Sequence, residues 1–158
     1  MKIIHITSTY YPLKGGIEEY ISNIVKYSFR NYCLESEVWV LNSFFKRSDC
    51  FNENNYNTVR FFKSKLKWVK EILKLEKSKK VIHLHDPTFS LITLFSVFYF
   101  KKVILSTHGF FFHTSENYLK FLFFKYLVVR IYRKINLIIC VSKTDFERLK
   151  LHGLKNIV

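Results

Sequence analysis

The chain has 158 residues, 49% of them hydrophobic and 18% aromatic, with four glycines and two prolines. This excludes a disordered or fibrous protein and fits about one globular domain. Lysine and arginine number 26 against 12 acidic residues, a formal charge of +14, which attracts polyanions without distinguishing nucleic acid from anionic lipid.

In chain order, short apolar runs alternate with longer segments of helical period. Lys2–Thr7 (KIIHIT) is a predicted strand. The amino terminus has no uninterrupted apolar core and no small-residue cleavage site, so no signal peptide is expected. A helix is predicted over Ile17–Phe29, a strand over Glu37–Leu41, an Asn-rich loop over Asp49–Asn57 and a third strand over Thr58–Phe62. Leu66, Val69, Ile72, Leu73 and Leu75 recur at helical spacing with lysines on the other face. Lys80–His85 (KVIHLH) is the next strand, and Asp86-Pro87 turns into a helix through Phe100. Lys102–Thr107 is a strand, followed by a loop through Asn117 and a helix to about Lys134. Leu137–Val141 is the last strand, and Ser142 caps a helix over Lys143–His152, with Gly153 at its end. Strands apolar on both faces, alternating with helices, predict an α/β fold: a doubly wound, Rossmann-like parallel sheet with helices on both faces. Right-handed crossovers then gather the strand carboxyl ends on one edge, where such sheets bind ligands.

The loops after the strands hold the residues with chemistry to offer. After the first strand, Gly15 and Gly16 open a helix, where a phosphate or sugar can approach free N–H groups. A plain tight turn is the simpler account of that pair taken alone. Glu18 and Glu19 stand where a dinucleotide fingerprint needs glycine, and no GK[ST] follows for a P-loop. His83 and His85 share a strand face by alternation; His83 reads as a buried, hydrogen-bonded histidine, while His85 and Asp86 end the strand and can meet a hydroxylated substrate. A zinc site on this HxH pair would need a third ligand, and none lies nearby in sequence. His108 directly follows the strand Lys102–Thr107, and Gly109 precedes Phe110, Phe111, Phe112 and His113. The imidazole of His108 can bond substrate hydroxyls or orient a reacting sugar. Phenylalanines at a loop either bury or contact something greasy. Ser142 ends the last strand as a helix cap or a site hydroxyl.

Three cysteines, Cys33, Cys50 and Cys140, form no CxxC, and reduced thiols in a cytoplasmic protein account for them. The longest nearly apolar run, Phe89–Phe100, is interrupted by Ser90, Thr93 and Ser96 and falls short of the roughly 20 residues a membrane crossing needs. Eight lysines and only two acids lie between Lys63 and Lys80, and Lys120, Lys125, Arg130, Arg133 and Lys134 form a second basic group. Either is a solvated face or a membrane-surface contact. No RNP1, KH or zinc-finger motif supports nucleic-acid binding, and Asn42-Ser43 in place of an acid after the second strand argues against a nicotinamide dehydrogenase.

Four segments, TSTYYPLKGGIEEYISNIVKY, VIHLHDP, VILSTHGFFFHT and IICVSKTDFERLKLHG, together resemble the retaining GT-B glycosyltransferases of family 4, specifically the bacterial type that builds cell-surface polysaccharides. The resemblance implies that residues 1–158 are a single Rossmann-like, acceptor-side N-terminal domain. It implies that Gly15 and Gly16 lie near the diphosphate of a nucleotide-sugar donor and that His108 is catalytic, pointing at the transferred sugar. It places His85, Asp86, Phe110, His113 and Ser142 on the acceptor side, facing a saccharide or lipid-linked acceptor, with no metal and no cofactor beyond the nucleotide sugar. The family's donor-binding domain is not within these residues, so little turnover is expected from them alone, and a second polypeptide supplying that domain is a candidate partner. An anionic membrane surface is another, with the protein peripheral on the inner face of the plasma membrane. The alternative is a non-catalytic remnant or membrane-surface binding module that keeps the fold.

Overall fold

A computed structural model describes residues 2–11, 15–41, 50–54, 57–62, 64–76, 80–85, 91–108 and 124–158. The chain forms two compact units, Met1–His85 and Asp86–Val158.

In the first unit, β1 (Lys2–Thr7) is buried over its last four residues. It leads to α1 (Gly16–Tyr32), whose first turn carries Glu18 and Glu19 and whose last carries Arg30, the order the helix dipole favours. Cys33 ends α1 at a left-handed φ of 50°, and the Leu34 N–H returns to Ser28 O at 3.3 Å, closing the last turn. β2 (Glu35–Leu41), β3 (Cys50–Asn54), β4 (Asn57–Phe62), α2 (Lys65–Leu73) and β5 (Lys80–Leu84) follow. The strand order is β3-β4-β2-β1-β5. β1 pairs in parallel with β2 and β5, and β2 with β4, while β3 runs antiparallel to β4.

β3 departs from the loop expected over Asp49–Asn57. Its asparagines disfavour a strand, but β4 offers an open edge, and pairing of Phe51 with Val59 and of Asn52 with Thr58 satisfies backbone groups that composition does not report.

The chain crosses from β1 to β2 in one direction and from β4 to β5 in the other. Right-handed connections then put α1 and α2 on opposite faces, and the packing agrees. Ile21 and Val25 of α1 join Val38, Val40, Val59 and Phe61 in one cluster. The alternating residues Trp39 and Phe62, with ring centroids 5.0 Å apart, face the other way, on the side that α2 covers with buried Trp68 and Ile72. Under Trp39, the buried Glu37 carboxylate accepts the indole N–H at 2.7 Å and pairs with Lys2 at 2.6 Å and Arg60 at 3.4 Å.

In the second unit, α3 (Leu91–Tyr99) and β6 (Val103–Thr107) precede a π-helical turn, Phe124–Val128, that runs into α4 (Val129–Tyr132), then β7 (Leu137–Cys140) and α5 (Lys143–Leu151). β6 and β7 are parallel, with Leu105 opposite Ile138. Asn136 fastens their start: its Oδ1 accepts from Val103 N at 2.7 Å, and its N–H donates to Val103 O at 3.0 Å. Gly153 takes a φ of 74° after α5, and Asn156–Val158 then pair with β7, where Val158 N donates to Ile138 O at 2.9 Å. This is an α/β, Rossmann-like fold. The Phe-rich segment at 110–112 and the loop through Asn117 lie outside the described residues.

Candidate functional site

The carboxyl end of β1 carries Thr7, whose hydroxyl donates to Thr9 O at 2.9 Å and accepts from Thr9 N at 3.3 Å. This local turn bends the chain off the sheet. Tyr10 is fully buried beyond it and meets Tyr11 edge-on at 5.2 Å. Gly15 then caps α1 in extended conformation, with φ −169°, so its backbone would accept any residue. What needs glycine is space: a Cβ there would fall 2.6 Å from Oε2 of buried Glu18. Gly16 differs, because a Cβ there would meet nothing within 4 Å. Of the two glycines expected near a diphosphate, Gly15 accommodates the protein's own carboxylate and Gly16 opens onto free space.

Next to this edge lie three buried histidines. His5 on β1 is in register with His83 on β5, and His85 directly follows β5, its N–H donating to Ile6 O at 2.9 Å. His5 Nδ1 lies 2.9 Å from His85 Nε2. Ring centroids of His83 and His85 are 4.0 Å apart, and those of His5 and His83 are 5.2 Å apart. Tyr20 of α1 meets His85 edge-on at 5.9 Å. Burial drives the His5 pKa down to about 3, so His5 is neutral at any physiological pH. His85, expected on the acceptor side, is fully buried and engages His5. Asp86 lies outside the described residues.

In the second unit, His108 follows β6 and is half-buried. Beside it in sequence, buried Thr107 donates through Oγ1 to Asp145 Oδ2 at 3.4 Å. Ser142, exposed after β7, caps α5 by accepting from Asp145 N at 3.1 Å. Asp145 is fully buried. Cys140, at the end of β7, has its thiol pushed up by burial and by the Asp145 charge, against a smaller lowering by Thr107. Phe110 and His113 lie outside the described residues. Glu18, Thr107, His5 and Asp145 are among the buried groups that sequence reasoning did not single out as site residues. Ser142-Lys143-Thr144-Asp145 carries the spacing of a capping box, which marked Asp145; nothing local marked His5.

Among the described residues, two cavities lie away from these loops. One of about 560 Å³ is lined by Tyr126, Val129, Arg130, Arg133, Leu151, His152 and Gly153. Another of about 490 Å³ lies beside Phe61, Phe62 and α2. None of the residues expected at the site lines either one. Among the described residues no helix is long and apolar enough to cross a membrane.

A Rossmann-like chain with polar residues directly after its strands has the architecture of the α/β proteins, a class in which ligands meet the strand carboxyl ends. More particularly, it belongs to Glycosyltransferase Family 4, whose sequence profile matches residues 14–158. Two bacterial relatives named GDP-mannose:cellobiosyl-diphosphopolyprenol alpha-mannosyltransferase are similar to it. The one from Xanthomonas oryzae pv. oryzae (strain PXO99A) is 27% identical over 125 residues, covering 73% of this chain and 33% of its own. The one from Xanthomonas campestris is 25% identical with the same coverage. The chain thus spans about a third of the length of these relatives.

Proposed function

We propose that residues 1–158 form the acceptor-side half of a retaining GT-B glycosyltransferase. It would move a sugar from a nucleotide-sugar donor to a saccharide or lipid-linked acceptor in cell-surface polysaccharide synthesis. The family match over residues 14–158 carries this reading, and the position of His108 directly after β6, where open α/β sheets meet their ligands, supports it. The relatives' names, which pair a nucleotide sugar with a diphosphopolyprenol-linked saccharide, favour a lipid-linked acceptor.

In this reading His108 is the catalytic residue, holding a hydroxyl of the transferring sugar. Gly16 admits the donor diphosphate to the amino end of α1, while Gly15 lets Glu18 pack beneath. Ser142, Asp86, Phe110 and His113 shape the acceptor side. Charge developing on the leaving diphosphate needs fixed positive groups in a closed cleft. These would come from a donor-binding domain, in further chain or in a second polypeptide. Exposed Lys67, Lys70 and Lys74 beside exposed Leu66 and Leu73 on α2 suit an anionic bilayer surface, where each lysine adds about 1 kcal/mol.

The test supplies membranes from the protein's native cells, which also hold any donor-binding domain, with radiolabelled nucleotide sugars and a polyprenyl-diphosphate disaccharide. Label should pass into the lipid fraction with one donor and stop doing so for His108→Ala. Label that remains water-soluble with every donor overturns the proposal.

A further inference from the structure

We propose that His5, His83 and His85 form a zinc-type metal site inside the first unit, joining β1 to β5. One nitrogen from each lies within 4.8 Å of those of the other two, and all three residues are buried. The sequence offered only the HxH pair on β5; the parallel register that sets His5 opposite His83 supplies the third imidazole. Tetrahedral zinc with bonds of about 2.0–2.1 Å holds its nitrogens roughly 3.3 Å apart. Nitrogens within 4.8 Å of one another reach that spacing by rotations of the rings, which can bring His5 Nε2 to the ion.

Two observations point to a ligand here. His5 Nε2 is a buried polar atom with no hydrogen-bond partner among the described residues, a costly condition in a core. Three imidazoles with no thiolate among them suit zinc and its first-row neighbours over calcium or magnesium, which prefer oxygen. A fourth ligand would come from outside the triad, and an anionic one such as hydroxide would offset the buried charge. The site is structural: the ion replaces a shared proton as the bond between two strands, and full burial means that it enters as the chain folds. This inference is independent of the proposed transfer reaction, since His108 and the glycines take no part in it.

The experiment unfolds the 158-residue protein with chelator and refolds it with and without zinc, then measures bound metal by mass spectrometry and the melting temperature. Roughly one zinc per chain and a higher melting temperature in its presence are expected. His83→Gln should weaken zinc affinity by more than the roughly 10–100-fold that loss of an outer-shell partner costs, while His152→Gln should leave it unchanged. Zinc retained equally by His83→Gln, or no zinc and no thermal shift in the parent protein, overturns the site and leaves the triad a hydrogen-bonded histidine cluster. Should His83→Gln not fold, cobalt in the parent protein decides. A tetrahedral, nitrogen-ligated absorption spectrum supports the site, and an octahedral aquo spectrum overturns it.

Discussion

His5 Nδ1 stands 2.9 Å from His85 Nε2 across the seam between β1 and β5, although the two residues are 80 positions apart in the chain. Both are fully buried, so the contact cannot be replaced by water. With chelator present, His5→Ala should lower stability by about 1–3 kcal/mol, the cost of deleting a buried hydrogen-bond partner. Urea denaturation measures this, and a loss near zero would show that the contact carries no weight.

Glu37 ties part of the first unit's stability to pH. Burial alone would raise its pKa, but hydrogen bonds from Lys2 and Trp39 and the charges of Arg60 and Lys2 outweigh it, leaving the group below its ordinary 4.5. A carboxylate with a depressed folded-state pKa stabilises above its unfolded value and loses that contribution as pH falls through the folded one. Glu37→Gln should therefore cost about 1–3 kcal/mol at neutral pH, and the deficit should shrink steadily below pH 4.5. A deficit independent of pH would contradict the assignment.

The two glycines at the start of α1 should respond differently. Gly15→Ala drives a Cβ to 2.6 Å from Glu18 Oε2 and should lower the melting temperature, with Glu18→Ala restoring part of it in the double variant. Gly16→Ala meets no atom within 4 Å and should be neutral, or stabilising by up to about 1 kcal/mol. If Gly16 admits the donor diphosphate, the same variant should raise KM for the nucleotide sugar without loss of stability.

Cys140 should alkylate slowly. Burial and Asp145 hold its thiol above its ordinary pKa of 9.0, and the thiolate is the reactive form. Peptide mapping after iodoacetamide treatment at neutral pH should find exposed Cys33 modified before Cys140. Asp145→Asn should accelerate Cys140, and an unchanged rate would remove Asp145 as the cause.

If His108 is catalytic in the proposed transfer, His108→Ala should cut transfer in native membranes by roughly 100-fold or more with the melting temperature unchanged, since His108 is only half-buried after β6. Transfer and stability falling together would make His108 a structural residue.

Much of the fold was legible in the chain itself. Continuous apolar strands such as Val103–Leu105 and Leu137–Cys140, the cap at Ser142 and the stop at Gly153 are local signals, and apart from β3 the described elements formed within a few residues of their expected places. The helix expected after Asn117 is described only from Phe124, where it begins as a π-helical turn before α4. The last strand extends only to Cys140, and Val141 is exposed.

The amino-acid sequence by itself determined the alternation of strands and helices, the glycines at the start of α1 and the polar residues that follow strands. Hydrophobic period, capping and backbone permissiveness act over a few residues. Tertiary structure alone decided that Asn-rich Cys50–Asn54 becomes an edge strand, that Gly15 makes room for Glu18, and that His5 meets His83 and His85. Those outcomes depend on strand register and on open sheet edges, which bring together residues with no local signal linking them.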